Sequence, residues 1–390
     1  MTTGRVPPEV RALLGGGITR RQFLERSARV AGGLAAGGSL LAACAGGRAG
    51  PPADSSAGAN TVRVSNWPLY VDSETPALFQ KATGVHLDYT EDVSDNNAYF
   101  AKVADPLAHR QSIDRDIVVL TDWMVNRLIR LGYCAPLDDR RFPNKSRLVD
   151  DLRNVAFDPG RKYSMPWMSG MTGLAYNRAK TGRDLTSLAD IFDPAFKGRV
   201  TMQTEVRDTL GLIMLYQGVA PERATDADVA AACAVVERYR KNGQIRSFTG
   251  TDYAEDLATG NIAIAMGWSG DVAGLAGDNL DLRFVVPKEG GLLFSDCMFI
   301  PVTSNRVDAA MAWMNYVYQP EVSARIVEAT RYISPVKGTG AALAKTDPAL
   351  AADPLVNPPA ELRARLHDFR PLDDAEERRY TEMFYRAMGV

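Results

Sequence analysis

The sequence predicts an α/β protein made of two doubly wound lobes with a ligand cleft between them. Three observations predict it. From residue 61 onward, short apolar strands alternate with helices in a βαβαβα order, the pattern of a parallel sheet covered on both faces. The pattern restarts near Gly173. About 330 residues remain once an N-terminal leader and linker are set aside, more than one core usually serves.

The leader comes first. Thr19-Arg20-Arg21-Gln22-Phe23-Leu24 is a twin-arginine export signal, followed by a Gly/Ala-rich run from Val30 to Leu41. That run is too short and too glycine-rich for a permanent span, which needs about 20 apolar residues. Leu41-Ala42-Ala43-Cys44 resembles a lipobox. Residues 1–43 are therefore expected to be cleaved and Cys44 to be lipidated, anchoring the protein outside the cytoplasmic membrane. Residues 44–60 read as the lipidated N-terminus and a flexible Gly/Pro/Ser/Ala linker.

The first lobe opens with a strand at Thr61–Ser65. A helix over Ser73–Thr83 follows, with Ser73 or Asp72 as N-cap, Pro76 in its first turn and Gly84 as its stop. Val85–Tyr89 is the second strand, about Asp95–Ala108 a helix, and Asp116–Leu120 a strand buried on both faces. Trp123–Leu131 is helical and closes at Gly132. In the second half, Gly173–Asn177, Arg199–Met202, Asn261–Met266 and Asp296–Pro301 read as strands. Asp208–Tyr216, Asp226–Asn242 and Val307–Tyr318 read as helices.

Composition excludes several functions. The chain carries 45 Lys+Arg and 47 Asp+Glu, a net charge of −2. Loss of the leader takes away six arginines and two glutamates and leaves a formal charge near −6. No basic stripe is present, so nucleic acid is not an expected partner. Beyond Cys44, three cysteines remain: Cys134, Cys233 and Cys297. They permit at most one disulfide, offer no zinc spacing and read as small core residues. None of the three histidines (86, 109, 367) stands beside a Ser or Cys motif. HExxH is absent, and Gly267-Trp268-Ser269-Gly270 lacks nucleophile-elbow spacing, so no enzyme is expected.

The informative residues sit just after the strands, where open α/β sheets bind ligands. Asn66-Trp67-Pro68-Leu69-Tyr70 follows the first strand and Thr121-Asp122-Trp123 the third. Glu205 and Asp208 follow the strand at 199–202; Trp268 and Asp271 follow the one at 261–266. Phe294 and Asp296 lie at the start of the last strand. Taken alone, any one tryptophan fits a core aromatic, Asp208 a helix N-cap and Asp271 a turn residue. Five loops converging with rings and acids fit a cationic solute instead. Rings enclose methylenes and attract ammonium groups, and carboxylates supply charge-assisted hydrogen bonds.

At these residues the chain resembles the extracytoplasmic spermidine/putrescine-binding proteins of ABC polyamine importers. The resemblance rests on Ser65-Asn66-Trp67-Pro68-Leu69-Tyr70-Val71, Asp116-Ile117-Val118-Val119, Tyr163-Ser164-Met165-Pro166-Trp167, Phe196-Lys197-Gly198 and Asp256-Leu257-Ala258-Thr259-Gly260. Its strongest marks are Ala265-Met266-Gly267-Trp268-Ser269-Gly270-Asp271-Val272 and Pro287-Lys288-Glu289-Gly290-Gly291. It implies the type II periplasmic-binding-protein fold, two α/β lobes joined by crossing strands. Lobe one would hold 61–170 and 295–340, lobe two 171–294 and 341–390. It implies an aromatic box of Trp67, Tyr70, Trp268 and Tyr332, supplemented by Trp123 and Phe294. The implied acids are Glu205, Asp208, Asp296 and Asp271, and Arg370 matches a polar residue that closes the site in some relatives.

One departure stands out. Relatives often place an acid where this chain has Leu69, and Asp122 is a candidate substitute. The expected function is a monomeric, lipid-anchored receptor that delivers putrescine or spermidine to an ABC permease and its ATPase, with no cofactor. The rivals are another cationic or amine-containing solute, or a ligand sensor feeding a membrane receptor.

Overall fold

A computed structural model describes residues 60–277 and 279–390. The twin-arginine leader, Cys44 and the linker up to residue 59 lie outside the described residues.

One sheet organises the chain. Its first part comprises β1 (Thr61–Asn66), β2 (His86–Glu91) and β3 (Ile117–Thr121). β1 pairs in parallel with β2 on one side and β3 on the other. The helices Thr75–Thr83 and Asn96–Ala108 make the crossovers. Their ends obey local chemistry: Asp95 caps the second through the Ala98 amide, and Gly84 ends the first at φ 72. Every residue of β3 is buried, as its unbroken apolar run requires.

After a two-stranded ribbon of β4 (Asn154–Val155) and β5 (Asp158–Pro159), the chain enters β6 (Ser164–Asn177). This strand has 14 residues, all buried. β7 (Val200–Gln203), β8 (Ile245–Thr249) and β9 (Ile264–Trp268) form the second parallel group. β10 (Leu282–Val285) pairs with β6, and β11 (Gly291–Phe299) returns antiparallel to both β3 and β6. β12 (Leu366–His367) adds to the start of β11. The main order is β2-β1-β3-β11-β6-β9-β7-β8. This is the mixed α/β architecture expected, with β6 and β11 as the strands that cross.

Two apolar cores flank the crossing. The first gathers Val62, Val64, Val118, Phe79, Trp313 and Met298. The second gathers Val200, Met202, Leu212, Val236, Tyr380 and Phe384. β6 contributes Met165 and Met168 to the first core and Leu174 and Tyr176 to the second, so one strand runs from core to core. Leu343, Leu350 and Val356 pack in the first core, while Leu372 and the helix Asp374–Met388 pack in the second.

Cys134, Cys233 and Cys297 are buried, unpaired thiols. No helix among the described residues is long and apolar enough to cross a membrane.

Candidate functional site

A cavity with about 440 Å³ of atom-free space opens at the carboxyl ends of β1, β3, β7 and β9. That position follows from topology: parallel strands on each side of the crossing release their loops toward the same gap. Trp67, Tyr70, Glu205, Asp208, Trp268, Asp271, Phe294, Asp296 and Tyr332 all line it.

The first loop shows how the chain aims its rings. The Trp67 amide donates to Asn66 Oδ1 at 2.8 Å, which tightens the turn leaving β1. Leu69 then takes φ 57, a left-handed conformation that costs a residue with a Cβ roughly 1–2 kcal/mol. The reversal buries Tyr70 and leaves Leu69 81% exposed. Leu69 therefore does not line the cavity.

The acids are held by donors from several strands. Asp296 accepts from the Tyr70 hydroxyl at 2.8 Å and the Thr121 hydroxyl at 2.9 Å. Asp271 accepts from Tyr332 at 2.7 Å and Tyr253 at 2.9 Å. Asp208, in the first turn of the helix Val206–Tyr216, accepts from the Thr172 hydroxyl and from Trp268 Nε1. Glu205 takes two bonds on Oε1, from the Asn96 amide at 2.7 Å and Asn96 Nδ2 at 3.0 Å. Its Oε2 is buried and has no partner. A buried carboxylate oxygen left unpaired is costly, so this atom marks a place for a donor.

Burial raises the pKa of every one of these acids. Asp296 is pushed up to about 7 and Asp208 to about 6, in each case chiefly by loss of water. Glu205 is pushed well above the usual carboxylate range by burial and then by the charges of Asp95 and Asp208. Asp271 is raised by burial, against the pull of the two tyrosine hydroxyls. Four acids around one cavity resist ionising together, and a cation relieves that resistance.

Rings enclose the acids edge to face. Trp67 and Trp268 lie 6.1 Å apart between centroids at 71°, and Tyr70 and Tyr332 4.9 Å apart at 75°. Phe294 bridges Trp268 and Tyr332 at 6.4 and 6.3 Å. Gly270 makes this packing possible, because a Cβ there would collide with the Tyr332 ring. The motif Gly267–Asp271 thus supplies a ring, an acid and the gap into which a ring from a distant segment fits.

Three expected residues fall elsewhere. Trp123 does not line the cavity: it is buried beneath Arg207, whose guanidinium carbon sits 5.2 Å from its ring centroid. Arg370 binds Glu376 at 2.9 Å and lines a separate apolar cavity. Asp122 turns to its neighbour's backbone and accepts from the Trp123 amide at 2.7 Å, so it does not replace a missing acid at Leu69. Position after a strand fixes the end of the sheet but not the direction of the side chain.

Sequence reasoning also missed Asn96, Thr121, Thr251 and Pro68, which complete the lining. Asn96 and Thr121 are bonded to each other twice, Nδ2 to the Thr121 hydroxyl and the Thr121 amide to Oδ1. Thr121 stands at the end of β3 in the stretch already singled out, which is the one signal that pointed to it.

Known proteins resemble this chain in sequence and fold. The chain is 29% identical over 337 residues to the putrescine-binding periplasmic protein PotF of Escherichia coli, covering 82% of this chain and 88% of that protein. It is 26% identical to spermidine/putrescine-binding periplasmic protein 1 of Haemophilus influenzae, covering 86% and 91%. Its fold matches the solved spermidine/putrescine ABC transporter substrate-binding protein PotD of Streptococcus pneumoniae with a TM-score of 0.70 and 23% identity, covering 84% and 98%. The family model of the bacterial extracellular solute-binding proteins matches residues 77–358, and the chain belongs to that family.

Proposed function

We propose that the protein is the polyamine receptor of an ABC importer and that putrescine or spermidine occupies the cavity beside Glu205, Asp208, Asp271 and Asp296. The unpartnered Glu205 Oε2 in an aromatic, four-acid cavity carries this reading. An ammonium donates there and to Asp208 and Asp296, while Trp67, Tyr70, Trp268, Phe294 and Tyr332 surround the methylenes. Micromolar affinity needs about 8 kcal/mol. Two or three charge-assisted bonds of roughly 1.5–3 kcal/mol each, with ring contacts, supply it before ordering costs.

The receptor performs no chemistry. Residues 61–170 with 295–340 are one lobe and 171–294 with the segment from Leu372 onward the other, while Leu343, Leu350 and Val356 pack with the first lobe rather than, as expected, the second. The guest drives closure because only the closed form lets both engage it. Asn96 meeting Glu205 across the cleft fits that role. The closed form docks on a membrane permease with its ATPase. Cys44 carries the lipid that keeps the monomeric receptor on the extracytoplasmic face after twin-arginine export. The names of the relatives support the ligand class and the transport role.

One observation favours a second reading. Leu69 stands where relatives often have an acid and points outward, so this position adds no ammonium anchor and a different cationic or amine-containing guest gains ground. Calorimetric titration with putrescine, spermidine, agmatine and lysine separates the two. Absence of binding heat and of thermal stabilisation with every polyamine rejects the first reading.

A further inference from the structure

A third cavity lies on the face built by residues 139–161, apart from the site above. It opens to solvent, holds about 770 Å³ of atom-free space including that open part, and is lined by Asp139, Lys145, Ser146, Arg153, Asn154 and Arg161, among others. Its wall contains an anomaly. Arg161 is only 1% exposed, yet no carboxylate among the described residues lies within 4.0 Å of its guanidinium. Its Nε donates to the Leu152 carbonyl at 2.6 Å, and Nη1 makes long contacts to Ser164 Oγ at 3.5 Å and Cys297 Sγ at 3.7 Å. Nη2 makes no hydrogen bond to the described residues. Asp158, the nearest acid in sequence, spends both oxygens on Lys162, Tyr163 and Ser164.

Two further cations face the same space. Arg153 is held over the cavity by the Ser146 and Leu148 carbonyls, and its Nε is buried without a partner. Its closest acid, Asp150, is 3.6 Å away and is shared with Lys337 at 2.7 Å. Lys145 pairs with Asp139, the one acid among the lining residues, at 2.5 Å. Gly160, at φ 68, leaves the rim open.

Among the described residues, only the Phe157 ring, 5.4 Å from the guanidinium carbon of Arg161, and the more distant charge of Asp122 offset its charge. A buried guanidinium so weakly countered is expensive unless something supplies more negative charge. Forked guanidinium groups meet tetrahedral oxyanions in a bidentate way. We infer that this cavity binds a phosphate-type oxyanion between Arg161, Arg153 and Lys145. The site is independent of the polyamine cavity, so neither proposal stands or falls with the other.

The test uses the full-length protein and inorganic phosphate, titrated at constant ionic strength against chloride and followed by calorimetry and thermal unfolding. Phosphate is expected to raise the melting temperature. Lys145→Gln and Arg153→Gln should each weaken phosphate about tenfold, and Asp139→Asn should tighten it, all with putrescine affinity unchanged. Vesicles of phosphatidylcholine with and without phosphatidylglycerol, offered to a Cys44→Ser protein that cannot be acylated there, identify the source: retention only on the anionic vesicles, lost in Lys145→Gln, assigns a lipid headgroup, and response to soluble phosphate alone assigns a free anion. Either response supports the site. No phosphate effect beyond that of chloride, with no vesicle retention, overturns it. So does a phosphate effect that survives both Gln substitutions.

Discussion

Asp296→Asn separates what this acid does for the guest from what it costs the fold. The side chain is 4% exposed and its pKa moves from 3.8 to about 7, mainly through burial. A raised carboxyl pKa means the fold disfavours the ionised form. The penalty is absent below pH 3.8, grows as pH rises and is complete above 7, where it amounts to roughly 4 kcal/mol. Asparagine removes the charge and keeps one acceptor for Tyr70 or Thr121, giving back about 1 kcal/mol for the other lost bond. The ligand-free variant should therefore melt several degrees higher than wild type at pH 8 and show little gain at pH 4. Its putrescine affinity should fall by at least tenfold, from the loss of one charge-assisted bond of roughly 1.5–3 kcal/mol. Scanning calorimetry at both pH values and titration calorimetry at pH 8 read the two effects. Unchanged affinity removes Asp296 from the site. A lower melting temperature at pH 8 shows that its bonds to Tyr70 and Thr121 outweigh its buried charge, and the reasoning fails.

Three other outcomes follow from the same cavity. Putrescine should bind about tenfold more weakly at pH 6 than at pH 8, because Asp296 at about 7 must lose its proton to pair with an ammonium; titrations in buffers of different ionisation heat should detect proton release, and a flat profile refutes the linkage. Asn96→Ala removes one bond to Glu205 and two to Thr121, and should weaken putrescine about five- to tenfold while expanding the ligand-free protein in small-angle scattering; unchanged affinity and size would remove Asn96 from closure. Gly270→Ala should displace Tyr332 and cost more than tenfold in affinity, and in a Tyr332→Ala background the same change should cost little; equal losses in both backgrounds would place its effect elsewhere.

The alternation of Thr61–Ser65, Val85–Tyr89 and Asp116–Leu120 with helices made the first parallel group legible, since apolar runs and glycine stops are local signals. β6 was recognised only in its last five residues. Its first half, Ser164–Gly170, is buried on both faces with Ser, Pro and Gly mixed in, and shows no period of two. β9 was placed early: Asn261–Ala263 read as strand, whereas the ladder begins at Ile264 and continues through Trp268. Of the site, Trp67, Tyr70, Glu205, Asp208 and Asp271 were legible because they follow strands, Trp268 because it ends one, and Asp296 because it was read at the start of a strand, though it lies within β11. Asn96 was not, because its position was taken for the first turn of a helix. Trp123 was misplaced because nothing in Thr121-Asp122-Trp123 tells which of three neighbouring side chains turns inward.

The hydroxyl groups of Tyr70, Tyr332, Tyr253, Thr121 and Thr172 act as built-in understudies for the proposed guest. Each already offers a proton to an acid that the proposed amine would engage. An arriving amine therefore meets oxygens that are aimed and partly quenched rather than bare. Selectivity then lies in what the understudies lack, a full positive charge, so neutral alcohols of the same length should gain almost nothing by entering.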